Sequence, residues 1–412
     1  MKCAINNQIV LSHALEGPIA PHIGLFAKSL SEQGYALRSI HSQVSLAACF
    51  SRWLKRHGVV LDAITSDHPS RYLQYRARQV RLYPGDAASL NYLLDVLRRH
   101  NMLSAEKILP RRLTSAERNT QAYEQHLRDA RGLARATIIN YVPFVRRFLQ
   151  DRFGDGPVIP SHLSASDIVS FVRRQAPHLH PKRAKLLTTA LRSFLQYLRY
   201  RGSIKQNLDA AVPAVANWSM SSIPRGIASD QVRRLLDSID QYSVGGRRDY
   251  AILLLLARLG LRASEIVSLE LDDIDWNSGQ FSVRGKGGLR SHLPLPKEVG
   301  KAIAVYLRHG RQRCTSRRVF LRAKAPVRGF QGAAAIGSIV RHRLQCAGIQ
   351  APTCGAHQFR HGLATDLLRK GASLGEIGRL LGHRSPETTK IYTKVDLDAL
   401  RTLALPWPGG MR

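Results

Sequence analysis

Apolar residues along this chain return every three or four positions in segment after segment, while the interval 271–295 reads instead as short strand-like runs. Spacing near 3.6 gathers the apolar side chains of a segment on one face, so a chain patterned this way hides its core between helices. In the first hundred residues the pattern predicts four helices. They run over about His22 to Gln33 (Ile23, Phe26 and Leu30 inward, Gly34 as the stop), Leu37 to Arg56 (Ile40, Val44, Phe50, Leu54), Ser70 to Val80, and Asp86 to Arg99 (Leu90, Leu93, Leu94, Leu97). The next hundred repeat the plan. Thr114 with Glu117 opens as a capping box, and helices are predicted over about Ala116 to Asp129, Ala136 to Gln150, Ser166 to Gln175 and Pro181 to Tyr200. Echoes about a hundred positions apart, such as Ser66-Asp67 against Ser166-Asp167 and Leu97-Arg98 against Leu198-Arg199, suit two copies of one module. They equally suit the general sameness of helical bundles.

Periodicity fades from Gln206 to Ala228, where Pro213, Ser219, Ser221, Ser222, Pro224 and Gly226 read as a linker. Val212, Val215 and Trp218 within it suit a segment that packs down. Ser229 is then expected to cap a helix with Val232, Leu235 and Leu236 inside. Arg247 to Leu259 is apolar nearly all round, as a central helix is. Within 271–295, the runs Leu271 to Trp276, Gln280 to Val283 and Ser291 to Leu295 are separated by Asn277-Ser278-Gly279 and Gly285-Lys286-Gly287-Gly288. They predict a small antiparallel meander. Helices resume at about Lys297 to His309, Ala333 to Gln345, His357 to Lys370 and Leu374 to Leu381, and a last short one opens with Ser385 and Pro386. The predicted fold class is mainly α with one small antiparallel β-sheet. The units are residues 1–105, 112–204, a linker 205–228, a larger domain 229–395 and a tail 396–412.

Charge narrows the partner. A formal net charge of +33 and a pI near 10.9 call for a polyanion, with nucleic acid first. An anionic lipid surface is the competing reading. Against it, the best apolar run, Ala251 to Ala257, falls well short of the roughly 18 residues of a spanning helix. The first residues also lack the apolar core of a signal peptide. The 5 cysteines are scattered with no CxxC pair, which suits reduced thiols in a cytoplasmic protein and gives no zinc site. In the second module Arg146, Arg147, Arg173, Arg174, Lys182, Arg183, Lys185, Arg192, Arg199 and Arg201 are candidates for a face toward a phosphate backbone, or for ordinary solvated charge.

The chemistry concentrates in the last third of the chain. A phosphodiester under attack gathers negative charge on its oxygens and needs rigid cations around it. Arg262 and Arg360 offer two forked, permanently charged donors. His357 lies three residues before Arg360, on the same helical face. His383, after Gly382, can donate to the same phosphate or accept a proton from Tyr392. That tyrosine is the candidate nucleophile, its pKa expected to be lowered by the nearby cations. Lys286, on a glycine-flanked turn, can protonate the departing 5′ oxygen. Glu265 is placed to hold the Arg262 guanidinium, and His361 to support its helix. Taken singly each has an ordinary reading, as a surface charge, a solvated histidine, a turn lysine or a packed aromatic. No cofactor or metal is required, and no His, Asp, Glu or Cys cluster has metal spacing.

These motifs resemble the tyrosine recombinases, also called phage integrases. They are Gly260-Leu261-Arg262-Ala263-Ser264-Glu265, Gly285-Lys286-Gly287, His357-x-x-Arg360-His361, Leu381-Gly382-His383, and Tyr392 nine residues further on. The resemblance covers about 225 to 400, and more loosely 114 to 202, which look like the family's SAM-like core-binding domain. Residues 1–105 lie outside the usual two-domain pattern. The resemblance implies a protein that clamps double-stranded DNA between two domains, forms a 3′-phosphotyrosyl link at Tyr392, and exchanges strands through a four-way junction within a homo- or hetero-tetramer of recombinase protomers. Neither ATP nor metal is consumed. It also makes 396–412 a coupling tail between protomers, though Leu397, Leu400, Leu403 and Leu405 suit docking in cis equally well. The function expected is a bacterial integrase or transposase of a mobile element. The alternatives are a chromosome-dimer resolvase and a DNA-binding protein of the same fold that does not cut.

Overall fold

The structure, a computed structural model, describes residues 3–5, 9–11, 15–103, 113–215, 226–285, 290–351, 353–383 and 385–395. Lys286, the tail 396–412 and the middle of the linker therefore lie outside the described residues. The chain forms two compact units, Met1–Lys107 together with Ile223–Arg412, and Ile108–Ser222.

The first unit begins with a hairpin, β1 (Cys3–Ile5) antiparallel to β2 (Ile9–Leu11), which helical periodicity does not reveal. Four helices follow: α1 (Ile23–Glu32), α2 (Leu37–Arg56), α3 (Asp67–Ala77) and α4 (Asp86–Arg99). Three of the four expected segments hold to within a residue. The third starts earlier than expected, at Asp67, whose carboxylate in the first turn suits the positive end of the helix. The inward residues Phe26, Leu30, Val44, Phe50, Leu93 and Leu97 are buried, and Phe50 packs on Tyr72 with ring centroids 5.2 Å apart.

The second unit comprises α5 (Ser115–Asp129), α6 (Arg135–Phe153), α7 (Ala165–Gln175) and α8 (Pro181–Tyr200). The expected capping box is formed: Thr114 Oγ1 accepts from the Glu117 N–H at 3.2 Å and the Glu117 carboxylate accepts from the Thr114 N–H at 3.0 Å. Ser164 and Asp167 make the same motif at the start of α7. Tyr123, Phe148, Phe171 and Phe194 fill the core. Part of the expected linker packs down, with Leu208 and Val212 buried in this core. Arg192 ties it there, donating to the carbonyls of Val212 at 2.7 Å and Pro213 at 3.2 Å. That arginine is thus half-buried and structural, a correction to its place among the phosphate-facing candidates. Arg174 and Arg199 are ion-paired with Asp151 and Asp209, while Arg146, Arg147, Arg173, Lys182 and Lys185 are exposed.

Residues 226–395 supply the rest of the first unit. In α9 (Ser229–Asp237) Ser229 is the first helical residue and Ala228 holds the cap position, a one-residue correction. Next comes α10 (Val244–Leu259), capped by Ser243, whose Oγ accepts from the Gly246 N–H at 3.0 Å. As its all-round apolarity predicts, Ala251 through Leu256 are fully buried, and α10 packs against later helices on several sides. After α11 (Ala263–Ser268) comes the meander of β3 (Ile274–Asp275), β4 (Gln280–Arg284) and β5 (Arg290–Pro294), antiparallel in that order, with Phe281 opposite Leu293. The first strand is shorter than expected because Leu271–Asp273 form a 3-10 turn, where Asp273 accepts from the Glu270 N–H at 2.9 Å. Then follow α12 (Lys297–His309), α13 (Ala334–Cys346), α14 (His357–Arg369), α15 (Leu374–Leu380), α16 (Pro386–Thr389) and a 3-10 turn Lys390–Val395. The buried Asp249 of α10 binds Arg248 at 2.6 Å and, across to α13, Arg343 at 2.7 Å.

Within this unit the N-terminal helices meet the C-terminal part directly. The Val327 N–H donates to the Gln33 carbonyl at 2.9 Å, and Gly34 is packed against the Val327 side chain. Among the described residues no helix is long and apolar enough to cross a membrane.

Candidate active site

The site is built at the junction where α10 ends. Gly260 terminates the helix in the left-handed conformation at φ +59°, and a Cβ there would lie 2.8 Å from Leu381 Cδ2. A glycine lets the chain turn and also lets α14 and α15 close over it. Two residues on, Arg262 holds the N-cap position of α11. Its backbone N–H and its Nη1 both donate to the Glu265 carboxylate, each at 2.7 Å, so one buried acid caps the helix and fixes the guanidinium. The expectation for Glu265 thus has a direct geometric basis. Arg360, on α14 and only 5% exposed, donates from Nη1 to the Gly260 carbonyl at 2.8 Å and from Nη2 to the Leu381 carbonyl. Burial and the neighbouring Arg262 lower its pKa to about 10, which leaves it charged at neutral pH.

Arg262, Glu265, Arg360, Arg379 and His383 line one cavity of about 370 Å³. Gly285 and Ser291 line it as well. The turn that carries Lys286 therefore leaves and rejoins the described chain at the cavity wall, although Lys286 itself is outside the described residues.

Tyr392 lies beside the cavity and does not line it. It is 1% exposed, clustered with Ala364, Ile377 and Leu381. Its hydroxyl shares a hydrogen bond of 3.0 Å with Nδ1 of His361. Its ring stands parallel to that of His383, with centroids 6.4 Å apart. Two expectations change here. His361, read as a support for its helix, is the imidazole that touches the tyrosine hydroxyl. And although Arg360 and Arg262 pull the tyrosine pKa down, burial outweighs them and the net shift is upward. The phenol is held neutral in this state.

The histidines share one electrostatic setting. Burial first, then Arg360 and Arg262, lower the pKa of His383 to about 4. His361 is lowered by burial, His357 and Arg360. His357, at the first turn of α14, is lowered by partial desolvation, then by Arg360 and Arg262, against a raising influence from Glu265. It shares the helix with Arg360 as expected but lies outside the cavity lining. All three rings are therefore neutral near pH 7 and able to accept a proton. Nδ1 of His383 is engaged with Thr389 Oγ1 at 2.8 Å, which leaves Nε2 as the nitrogen able to meet a ligand. Sequence reasoning missed Thr389 and Arg379. The signal for Thr389 was its place three residues before Tyr392, one turn away; Arg379 carries none that sets it apart from other surface arginines.

Mostly helical with a three-stranded antiparallel sheet, and with this junction at its centre, the architecture has the tyrosine recombinase fold. A solved structure of the XerH site-specific recombinase bound to palindromic difH substrate aligns with a TM-score of 0.54 at 17% identity, over 82% of this chain and 95% of that one. In sequence, the phage integrase family matches residues 225–398, and the phage integrase N-terminal SAM-like domain matches residues 120–202. The integrase/recombinase y4rA of Sinorhizobium fredii is 56% identical over 409 residues, covering 99% of each chain. The tyrosine recombinase XerD of Listeria monocytogenes is 32% identical over 64% of this chain and 90% of its own. The chain belongs to the phage integrase family, the tyrosine recombinases, enzymes that cut and rejoin DNA strands.

Proposed function

We propose that this recombinase is the integrase or transposase of a bacterial mobile element, acting in the cytoplasm on double-stranded DNA with Tyr392 as its nucleophile. The observation that carries the chemistry is the shared cavity: two guanidiniums, each anchored to the protein through one edge, and His383 converge on a space large enough for a phosphodiester, with Tyr392 packed beside it. Tyr392 Oη attacks the phosphorus and its proton passes to Nδ1 of His361. The bond to the 5′ oxygen breaks, and Lys286 protonates that oxygen. Arg262 and Arg360 hold the non-bridging oxygens as their charge grows, and His383 donates or accepts at the same phosphate. Because the phosphate bond energy is kept in the 3′-phosphotyrosyl link, a 5′ hydroxyl from a second strand attacks it and the tyrosine leaves, without ATP or metal. The buried hydroxyl of Tyr392 has to turn toward the cavity for attack, which DNA in the site favours by bringing a negative charge to the two arginines.

In this reading residues 112–204 form the core-binding domain, 205–228 the linker and 229–395 the catalytic domain, while 396–412 couple protomers of a homo- or hetero-tetramer on DNA. Residues 1–105 form a further helical module. The match to an integrase/recombinase over the whole chain, that module included, supports the mobile-element role. The test uses nicked duplexes built from the DNA flanking the gene, in which cleavage releases a short fragment and traps the protein. Wild type is expected to yield a covalent adduct and Tyr392→Phe none; equal adduct from both would overturn the assignment.

A further inference from the structure

The N-terminal helices hold a second cationic pocket that the strand-cutting chemistry does not use. It encloses about 170 Å³ between one face of α2, with Arg52, Trp53 and Arg56, and the facing side of α3, with Tyr72, Tyr75 and Arg76. None of the lining residues is acidic. Of the acids nearby, Glu16 pairs with Lys55 at 2.9 Å and also interacts with Arg52 and Arg56, and Asp86 interacts with Arg76. Two of the lining residues also carry a buried donor without an acceptor, Trp53 Nε1 and Arg76 Nε. Arg76 spends its Nη1 on the Tyr72 hydroxyl at 3.3 Å. Three guanidiniums that line one pocket with no acid among them are arranged for an incoming acceptor with negative charge. Arg71 on α3, and Arg78 and Arg81 after its end, are exposed as well. So many cations on one short segment fit a polymer of phosphates better than one small anion.

We propose that this pocket receives a backbone phosphate of duplex DNA, making residues 1–107 a DNA-contacting module in addition to the core-binding and catalytic domains. Arg52, Arg56 and Arg76 supply the charge and the hydrogen-bond donors, while Tyr75 stands at the rim. The contact reads no base, so it adds affinity and fixes the position of the module on the duplex. The proposal rests on the reading of this chain as an enzyme acting on double-stranded DNA.

The test uses the full-length protein and a duplex of random sequence, with binding followed by anisotropy across a salt series. Arg52→Gln with Arg56→Gln is expected to make the slope of log K against log salt shallower by about 0.9 for each phosphate released, and Arg52→Lys with Arg56→Lys to restore most of it. A slope equal to wild type would overturn the pocket while leaving the strand-cutting reading intact. A wild type that forms no complex with duplex would remove the reading on which the pocket rests. Should the glutamine variant fail to fold, Cys49, which lines the pocket, reports on wild type. Duplex DNA is expected to protect Cys49 from alkylation relative to Cys346 and Cys354, with inorganic phosphate or phosphatidylglycerol vesicles protecting it far less. Protection by the vesicles or by phosphate alone, or no protection by duplex, would overturn the proposal.

Discussion

At the scale of single side chains, neutral histidines beside permanent cations make the site sensitive to pH. The folded pKa of His383, about 4, lies below the ordinary value of 6.5, so the unfolded chain takes up a proton first as pH falls. Stability is therefore full above pH 6.5 and is lost as pH drops toward 4. Thermal unfolding followed across that window is expected to show the decline, and His383→Gln to flatten it; equal slopes for both proteins would mean that the ring titrates normally. Bound DNA should reduce the effect, since a phosphate offsets Arg262 and Arg360. The separations among Arg262, His357, Arg360, His383 and Tyr392 were legible in the sequence, because family motifs are written as local strings. The bond between His361 and Tyr392 was not. It joins residues 31 apart through the packing of α14 against the last 3-10 turn, and no local pattern encodes that.

At the scale of elements, one glycine joins α10 to the site. Gly260→Ala places a Cβ in the left-handed region and against Leu381, and is expected to cost about 1–3 kcal/mol of stability. Since the carbonyl of that residue anchors Arg360, adduct formation should fall further than the loss of folded protein explains, which is read by comparing initial cleavage rates at a temperature where both proteins are fully folded. Unchanged stability and rate would show that the junction yields freely. Helices α2, α4, α8 and α12 follow the apolar periodicity to the residue, since each is long and buries one continuous stripe. The pattern was less informative where side-chain hydrogen bonds set the ends. Asp273 turns the backbone out of the strand expected over Leu271 to Trp276, and Ser243 starts α10 earlier than its apolar residues suggest. The N-terminal hairpin, with three residues in each strand, is too short for any periodicity to register.

At the scale of the whole molecule, the first hundred residues, which sequence motifs left outside the family pattern, share a compact unit with the catalytic segment. Gly34, at φ +77°, lies where a Cβ would approach Val327 Cγ2 to 2.7 Å, beside the hydrogen bond from Val327 to Gln33. Gly34→Val is expected to open that seam, raising amide exchange at Val327 while Leu253 and Leu254 in α10 stay protected; unchanged exchange at Val327 would mean that the two parts are joined elsewhere. The central claim is that a charge-built cavity delivers a DNA phosphate to one tyrosine. Digesting the trapped adduct and identifying the DNA-linked peptide by mass spectrometry tests it most directly. A 3′-phosphate on Tyr392 is expected, and attachment at any other residue would contradict the role of that tyrosine.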